Sequence, residues 1–369
     1  MNRKKLILIF DTAASIQEFK KSGFFSRQKN MLEEYKKHFD LELYTSDIKN
    51  YSMELNIKHH NLPVRLSSYG LRHIVYYIYL ILSSFKMNAP IRVFGVSLPV
   101  LPLIKIISGQ KIILNYEYDW ARGVRKDYGG FKGLISNIVQ RLSISSSDKV
   151  VCTAAWLQEI VKKRYRKDAI IIPNFVDTGL FKPSENKKNY ILYAGRLHWS
   201  KGISILLQAF ARFHKLHPEM SLLICGNGDQ KSELENIVKE EKIKNVIFKG
   251  TIEHDVLANL VARAKIFVLP TLTMEGHPKS LIEAMACGTA CIATDIPGNR
   301  DVIIHNETGL LVTPRSVNSL YEALTALSSD EVLRKKLEKS AYLFAQQNYG
   351  IEKTLLKEIE IVQGFISHG

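Results

Sequence analysis

Residues 266–293 read IFVLPTLTMEGHPKSLIEAMACGTACIA, and the fold follows from them. The apolar run 266–270 has the length and β-branched or aromatic make-up of a buried strand. A polar loop then delivers Glu275 and Gly276. Pro278 stands where a first helical residue is favoured, and residues 280–287 continue as an apolar helix that Gly288 stops. Residues 290–293 return to a strand. Strand, helix and strand in so short a span make a βαβ unit, the repeat of a parallel sheet.

The same grammar extends outward. Before this stretch, 190–194, 221–225 and 245–248 read as strands, while 203–214, 232–241 and 256–264 read as helices. In the first half, 6–10, 41–44, 91–94, 111–114, 149–152 and 170–173 are strand candidates, and 28–38 and 71–85 helix candidates. Pro173 and Pro183 bracket the expected domain boundary. A doubly wound α/β sheet places its ligand loops at the carboxyl ends of its strands.

Two of those loops carry chemistry. In the first, the amides opening the helix after Pro278 (Lys279, Ser280, Leu281) lie at the positive end of the helix dipole and suit a diphosphate. Glu275 on the loop can accept hydrogen bonds from sugar hydroxyls. Glu283, one turn into an apolar helix, can accept from a ribose; a buried carboxylate there needs a partner. The plainer reading is that two acids merely favour the helix start. The second loop is Ala194-Gly195-Arg196-Leu197-His198-Trp199-Ser200-Lys201-Gly202, again after a strand. Arg196 as a planar fork and Lys201 as a point charge would clamp phosphate. Alone it would read as a solvated basic loop, but it shares a sheet edge with the first.

These segments, with 150–153, 172–177 and 308–312, resemble the retaining glycosyltransferases of GT-B architecture usually numbered family four. The resemblance is close over about residues 147–350. It implies two Rossmann-like, doubly wound parallel-sheet domains facing a cleft. Residues 1–178 would form an acceptor domain, rejoined by a return segment at about 348–369, and 179–347 a nucleotide-sugar donor domain. It implies Arg196, Lys201 and Glu275 as catalytic residues. Gly195, Gly276, Lys279, Ser280, Leu281 and Glu283 would hold the donor, with Ile252 at the base and Gly23 near the diphosphate. Tyr118 and Asp119 are the best counterparts of a His-Asp pair on the acceptor side. The chain departs from the family pattern in three places: 21–26 reads KSGFFS where Gly-Gly is usual, 115–120 reads NYEYDW without the histidine, and His277-Pro278 replaces Phe-Gly. A sugar-phosphate synthase and a non-catalytic partner subunit of the same fold are the alternative readings.

Composition sets the limits. The 369 residues are enough for two domains, and 46% hydrophobic with 24% charged residues reads as a soluble globular chain. Residues 1–185 hold 29 Lys and Arg against 16 Asp and Glu, whereas 186–369 hold 22 against 20. An excess confined to one half points to an anionic partner, here an anionic membrane surface bearing a glycan or lipid-linked acceptor. No nucleic-acid-reading motif accompanies the charge, so nucleic acid is not expected. The basic start and five-residue apolar run at 6–10 are too short for a signal peptide, and the longest apolar run, 74–82, is too short to span a bilayer. A cytoplasmic protein, peripheral to the membrane, is the expectation. The four cysteines lack a metal or disulfide spacing, and Cys225, Cys287 and Cys291, in apolar or small-residue surroundings, read as buried thiols. No Asp-x-Asp motif occurs, so neither metal nor cofactor is expected. Adjacent His59 and His60 read as solvated loop residues, and the aromatic helix at 71–80 either as core or as a helix whose outer face rests on lipid.

Overall fold

The computed structural model describes residues 3–11, 15–21, 25–62, 64 and 69–367. The chain divides into two compact units: Met1–Ile172 with Leu355–Gly369, and Pro173–Thr354. The division comes earlier than residue 178 because Val176 pairs with Gly350, the Val176 N–H donating to Tyr349 O at 2.8 Å and the Ile351 N–H to Val176 O at 2.9 Å. Segment 173–178 thereby stays with the second unit.

The first unit is built on strands β1 (Lys4–Phe10), β2 (Phe39–Tyr44), β3 (Lys58–His60), β4 (Ile91–Phe94), β5 (Ile112–Tyr116), β6 (Lys149–Cys152) and β7 (Ala169–Ile171). All pair in parallel, in the order β3-β2-β1-β4-β5-β6-β7. Arg92 on β4 is fully buried beneath the helix Ile351–Ser367. Its Nη2 donates to Asn115 Oδ1 at 2.8 Å and to Glu358 of that helix, and the Tyr35 hydroxyl donates to the same carboxylate at 2.7 Å. A buried guanidinium is tolerable only with such partners.

Strand β3 corrects the reading of His59 and His60. His59 is buried there, its Nδ1 accepting the Tyr51 N–H at 2.9 Å. The ring therefore carries its proton on Nε2, which donates to Thr45 Oγ1 at 2.8 Å. Thr45 in turn donates to Asp47, whose carboxylate accepts the Ile16 and Gln17 N–H groups. His60 stacks flat on Tyr44. These histidines brace a sheet edge.

The second unit comprises β8 (Lys188–Ala194), β9 (Ser221–Cys225), β10 (Val246–Gly250), β11 (Ala264–Leu269), β12 (Ala290–Thr294) and β13 (Leu310–Val312). They are again all parallel, in the order β10-β9-β8-β11-β12-β13. The winding reverses between β8 and β11, and a sheet of this kind binds ligands outside the carboxyl ends of its strands at that switch point. The two chemistry-bearing loops leave β8 and β11.

Candidate active site

The loops after β8 and β11 are packed backbone to backbone. Gly202 lies in the left-handed region at φ +67°, and a Cβ there would stand 2.1 Å from Pro270 O. Leu272 N–H donates to Ser200 O at 2.7 Å across the same junction. On the other side Gly298, at φ +92°, lets residue 275 approach: a Cβ there would meet Glu275 O at 2.4 Å. Glycine is thus required on both flanks, and loop 270–278 is held between them.

This packing joins the two residues on which the sequence reading turned. Lys201 Nζ donates to Glu275 Oε1, and Thr271 Oγ1 donates to the same oxygen at 3.0 Å. Both charged side chains are only partly buried. Lys201 ends a short 3-10 turn, Trp199–Lys201, capped by His198, whose Nδ1 accepts the Ser200 N–H. Arg196, on the same loop, is exposed, and Gly195 is half-buried.

The helix Lys279–Ala286 starts at the same edge, with Pro278 as its N-cap and no side chain capping it. Lys279 and Ser280 are half-buried, Gly276 is buried, and the Leu281 side chain belongs to the core, which leaves its amide as the group of interest. Glu283 is buried one turn in, and its Oε1 lies 3.0 Å from His254 Nε2. This is the partner that an acid in an apolar helix requires. His254 opens the helix His254–Arg263, two residues after half-buried Ile252.

His277 is buried and faces inward. Its Nδ1 accepts the Asn174 N–H at 3.2 Å, Asn174 Nδ2 donates to His277 O at 2.6 Å, and its ring meets Tyr349 edge-on. The His277-Pro278 departure is therefore a fixed packing element of the second unit. The sequence reading did not single out Thr271, His254 or Asn174 as site residues. A buried Glu283 was expected to need a partner, but nothing in the local sequence pointed to His254.

In the first unit Asp119 is buried with both oxygens engaged: Oδ1 accepts from Gln140 Nε2 at 3.0 Å and Oδ2 from Arg164 Nη1 at 3.3 Å. Tyr118 is exposed and lies over Gly123, where a Cβ would come 1.6 Å from its hydroxyl. Of the proposed acceptor-side pair, only Tyr118 faces solvent. Gly23 lies outside the described residues. Among the described residues, no group of three His, Cys, Asp or Glu gathers as a metal site would need.

Two loops thus meet through a lysine–glutamate pair, beside a helix start that no side chain caps, at the switch point of a doubly wound sheet. Residues 180–344, which lie within the second unit, match the model of the family described as glycosyl transferases group 1. The whole chain has the GT-B fold. It superposes on sucrose-phosphate synthase from Thermosynechococcus elongatus with a TM-score of 0.79, at 20% identity over 99% of this chain and 100% of that one. It also superposes on the Anabaena protein HepE, crystallised with UDP and glucose, with a TM-score of 0.78 at 15% identity over 97% and 99%. In sequence, it is 34% identical over 192 residues to an exopolysaccharide phosphotransferase of Streptomyces coelicolor, a match covering 52% of this chain and 20% of that protein. It is 28% identical over 212 residues to the N-acetylgalactosaminyltransferase of Campylobacter jejuni that acts on a diphospho-undecaprenol-linked sugar, covering 57% of this chain and 52% of that one.

Proposed function

We propose that this chain is a retaining, family-four-like glycosyltransferase that moves a sugar from a nucleoside diphosphate, UDP or GDP, to a glycan or lipid-linked acceptor at the cytoplasmic face of a membrane. The observation that carries the reading is the Lys201–Glu275 pair at the switch point of the second sheet. As the bond from the anomeric carbon to the diphosphate lengthens, negative charge grows on the leaving phosphate. Arg196, Lys201 and the amides of Lys279, Ser280 and Leu281 supply fixed positive charge where it develops. Glu275 orients the donor sugar while holding Lys201 in place. Glu283, braced by His254, receives the ribose hydroxyls, and the backbone at Ile252 meets the base.

The acceptor hydroxyl enters from the leaving-group side, which gives retention, and the first unit is the acceptor-binding domain. Tyr118 is the exposed group there, with buried Asp119 as a positioning residue. The Campylobacter relative's lipid-linked substrate and the basic first half both favour a membrane-borne acceptor. Buried thiols suit a reducing compartment. Calorimetric titration with UDP, GDP and ADP, followed by a hydrolysis screen of the matching sugar nucleotides, tests the reading. One diphosphate should bind and select its sugar nucleotide, and silence with all three defeats the proposal.

A further inference from the structure

Three helices of the first unit carry apolar residues on the wrong side. The helix Tyr69–Ser84 buries Tyr76 and Leu80 but exposes Leu71, Ile74, Ile78 and Leu82, spaced three and four apart on one face. The helix Leu101–Ser108 exposes Leu103 and Ile106. The helix Gly130–Ser146 is largely inverted, although it also buries Ile144. It turns Gly133, Ser136, Gln140 and Ser143 inward and leaves Phe131, Leu134, Ile135, Ile138 and Leu142 exposed, Phe131 at 76%. Its inward polar groups are satisfied: Ser136 Oγ donates to Gly133 O, Ser143 Oγ to Leu98 O and Gln140 Nε2 to Asp119. The helix is thus stably seated with its apolar stripe outward.

The three stripes form one surface. These helices connect β3 to β4, β4 to β5 and β5 to β6, all winding the same way across the sheet, so right-handed crossovers put them on one face. Leu101–Ser108 packs against the other two. Contiguous apolar surface of this extent marks a partner or a membrane.

Charge decides between them. The three helices contain no Asp or Glu; their charged residues are Arg72, Lys105, Lys132 and Arg141. Lys132 and Arg141 are exposed on the inverted helix, with Lys132 Nζ over the Tyr128 ring at 4.9 Å. Lys105 has a carboxylate beside it, Asp148 at 2.5 Å, and a twofold contact between copies would lay these acid-free helices on themselves. An anionic leaflet offers both an acyl boundary and phosphates. No helix among the described residues is long and apolar enough to cross a membrane.

We infer that this three-helix face is a membrane-insertion surface, its apolar side chains entering the acyl boundary of an anionic leaflet while Lys132 and Arg141 stay at the phosphates. Helices lying in that plane bury their apolar face by roughly 5–10 Å. The inference rests on the membrane-acceptor reading above and supplies its surface; nucleotide titration checks the enzymatic reading separately.

Flotation of the full chain with phosphatidylglycerol–phosphatidylcholine vesicles is the test. Wild type should float, and part of the binding should survive high salt, because burial of apolar surface is not screened. Ile78→Glu and Leu134→Glu should each weaken binding about tenfold or more, the scale of one buried aliphatic side chain. Val332→Glu, at a still more exposed apolar position of the second unit, should change nothing. Both helix residues point outward, so thermal melts should match wild type. Ile78→Trp should shift its emission to the blue on vesicles and be quenched by brominated lipid. Undiminished flotation of the Glu variants, or complete loss of wild-type binding with salt, overturns the inference. So does a wild-type dimer that these variants dissociate without any vesicle binding. If flotation behaves as expected and no nucleotide binds, the surface stands and the glycosyltransferase reading falls.

Discussion

At the scale of single residues, Lys201 and Glu275 act as a unit. Glu275 Oε1 already receives Lys201 Nζ and Thr271 Oγ1, so removing either charge unsettles the other. Lys201→Ala and Arg196→Ala should each lower turnover roughly 10²–10³-fold, the scale for losing one electrostatic donor to a developing charge. Lys201→Ala combined with Glu275→Gln should cost less than the two singles together, since both remove the same contact. Steady-state kinetics of Lys201→Ala, Glu275→Gln and the double variant decide this, and full additivity would mean the pair has no part in positioning. His59 makes a separate prediction. Burial pushes its pKa from 6.5 down to about 4, outweighing the nearby Asp47 carboxylate. Between those values the unfolded chain binds a proton that the folded chain refuses. Stability should therefore fall as pH drops from about 6.5 to about 4, by up to about 3 kcal/mol from this group, and no further below that. His59→Gln, which can keep an acceptor for Tyr51 and a donor for Thr45, should flatten that fall in denaturant titrations across pH. An equally steep fall in the variant would assign the pH dependence elsewhere.

At the scale of elements, the buried strands were legible because a strand covered on both faces is a continuous apolar run. β4, β6 and β12 stand close to where composition puts them. β3 was not legible: Lys58, His59 and His60 are polar, and only the hydrogen bonds of His59 to Thr45 and Tyr51 make the segment a strand edge. The helix Gly130–Ser146 also escaped, because its outward stripe is the one a periodicity argument would assign to the core. Lys201 and Glu275 stood out by their loops, whereas the pairing of His254 with Glu283 depends on neighbouring helices and leaves no mark in the local sequence. The C-terminal helix offers a mechanical test. Glu358→Leu leaves the fully buried Arg92 guanidinium without a carboxylate, held among the described residues only by Asn115 and the faces of Tyr35 and Phe94, and should destabilise by about 3–5 kcal/mol. Arg92→Leu with Glu358→Leu should recover much of that loss in urea unfolding. A double variant as unstable as Glu358→Leu would show that packing of the helix, not the orphaned charge, sets the cost.

At the scale of the molecule, two sheets of like winding have unlike surfaces: the first half carries the positive excess and the outward apolar face, the second a nearly neutral balance and the edge where Lys201 meets Glu275. With Arg196 and Lys201 as built-in cations, transfer should persist in excess EDTA. Complete loss restored by Mn²⁺ or Mg²⁺ would mean the phosphate site has been misread. The buried thiols have a practical consequence. Cys152, Cys225, Cys287 and Cys291 are all buried, none in a disulfide, and burial pushes the Cys225 thiol up to about 11 and the Cys287 thiol up to about 12. Since the thiolate is the reactive form, none offers maleimide an accessible nucleophile at neutral pH. A single cysteine placed on either surface would carry a fluorophore or spin label against a silent background, with every native residue left in place.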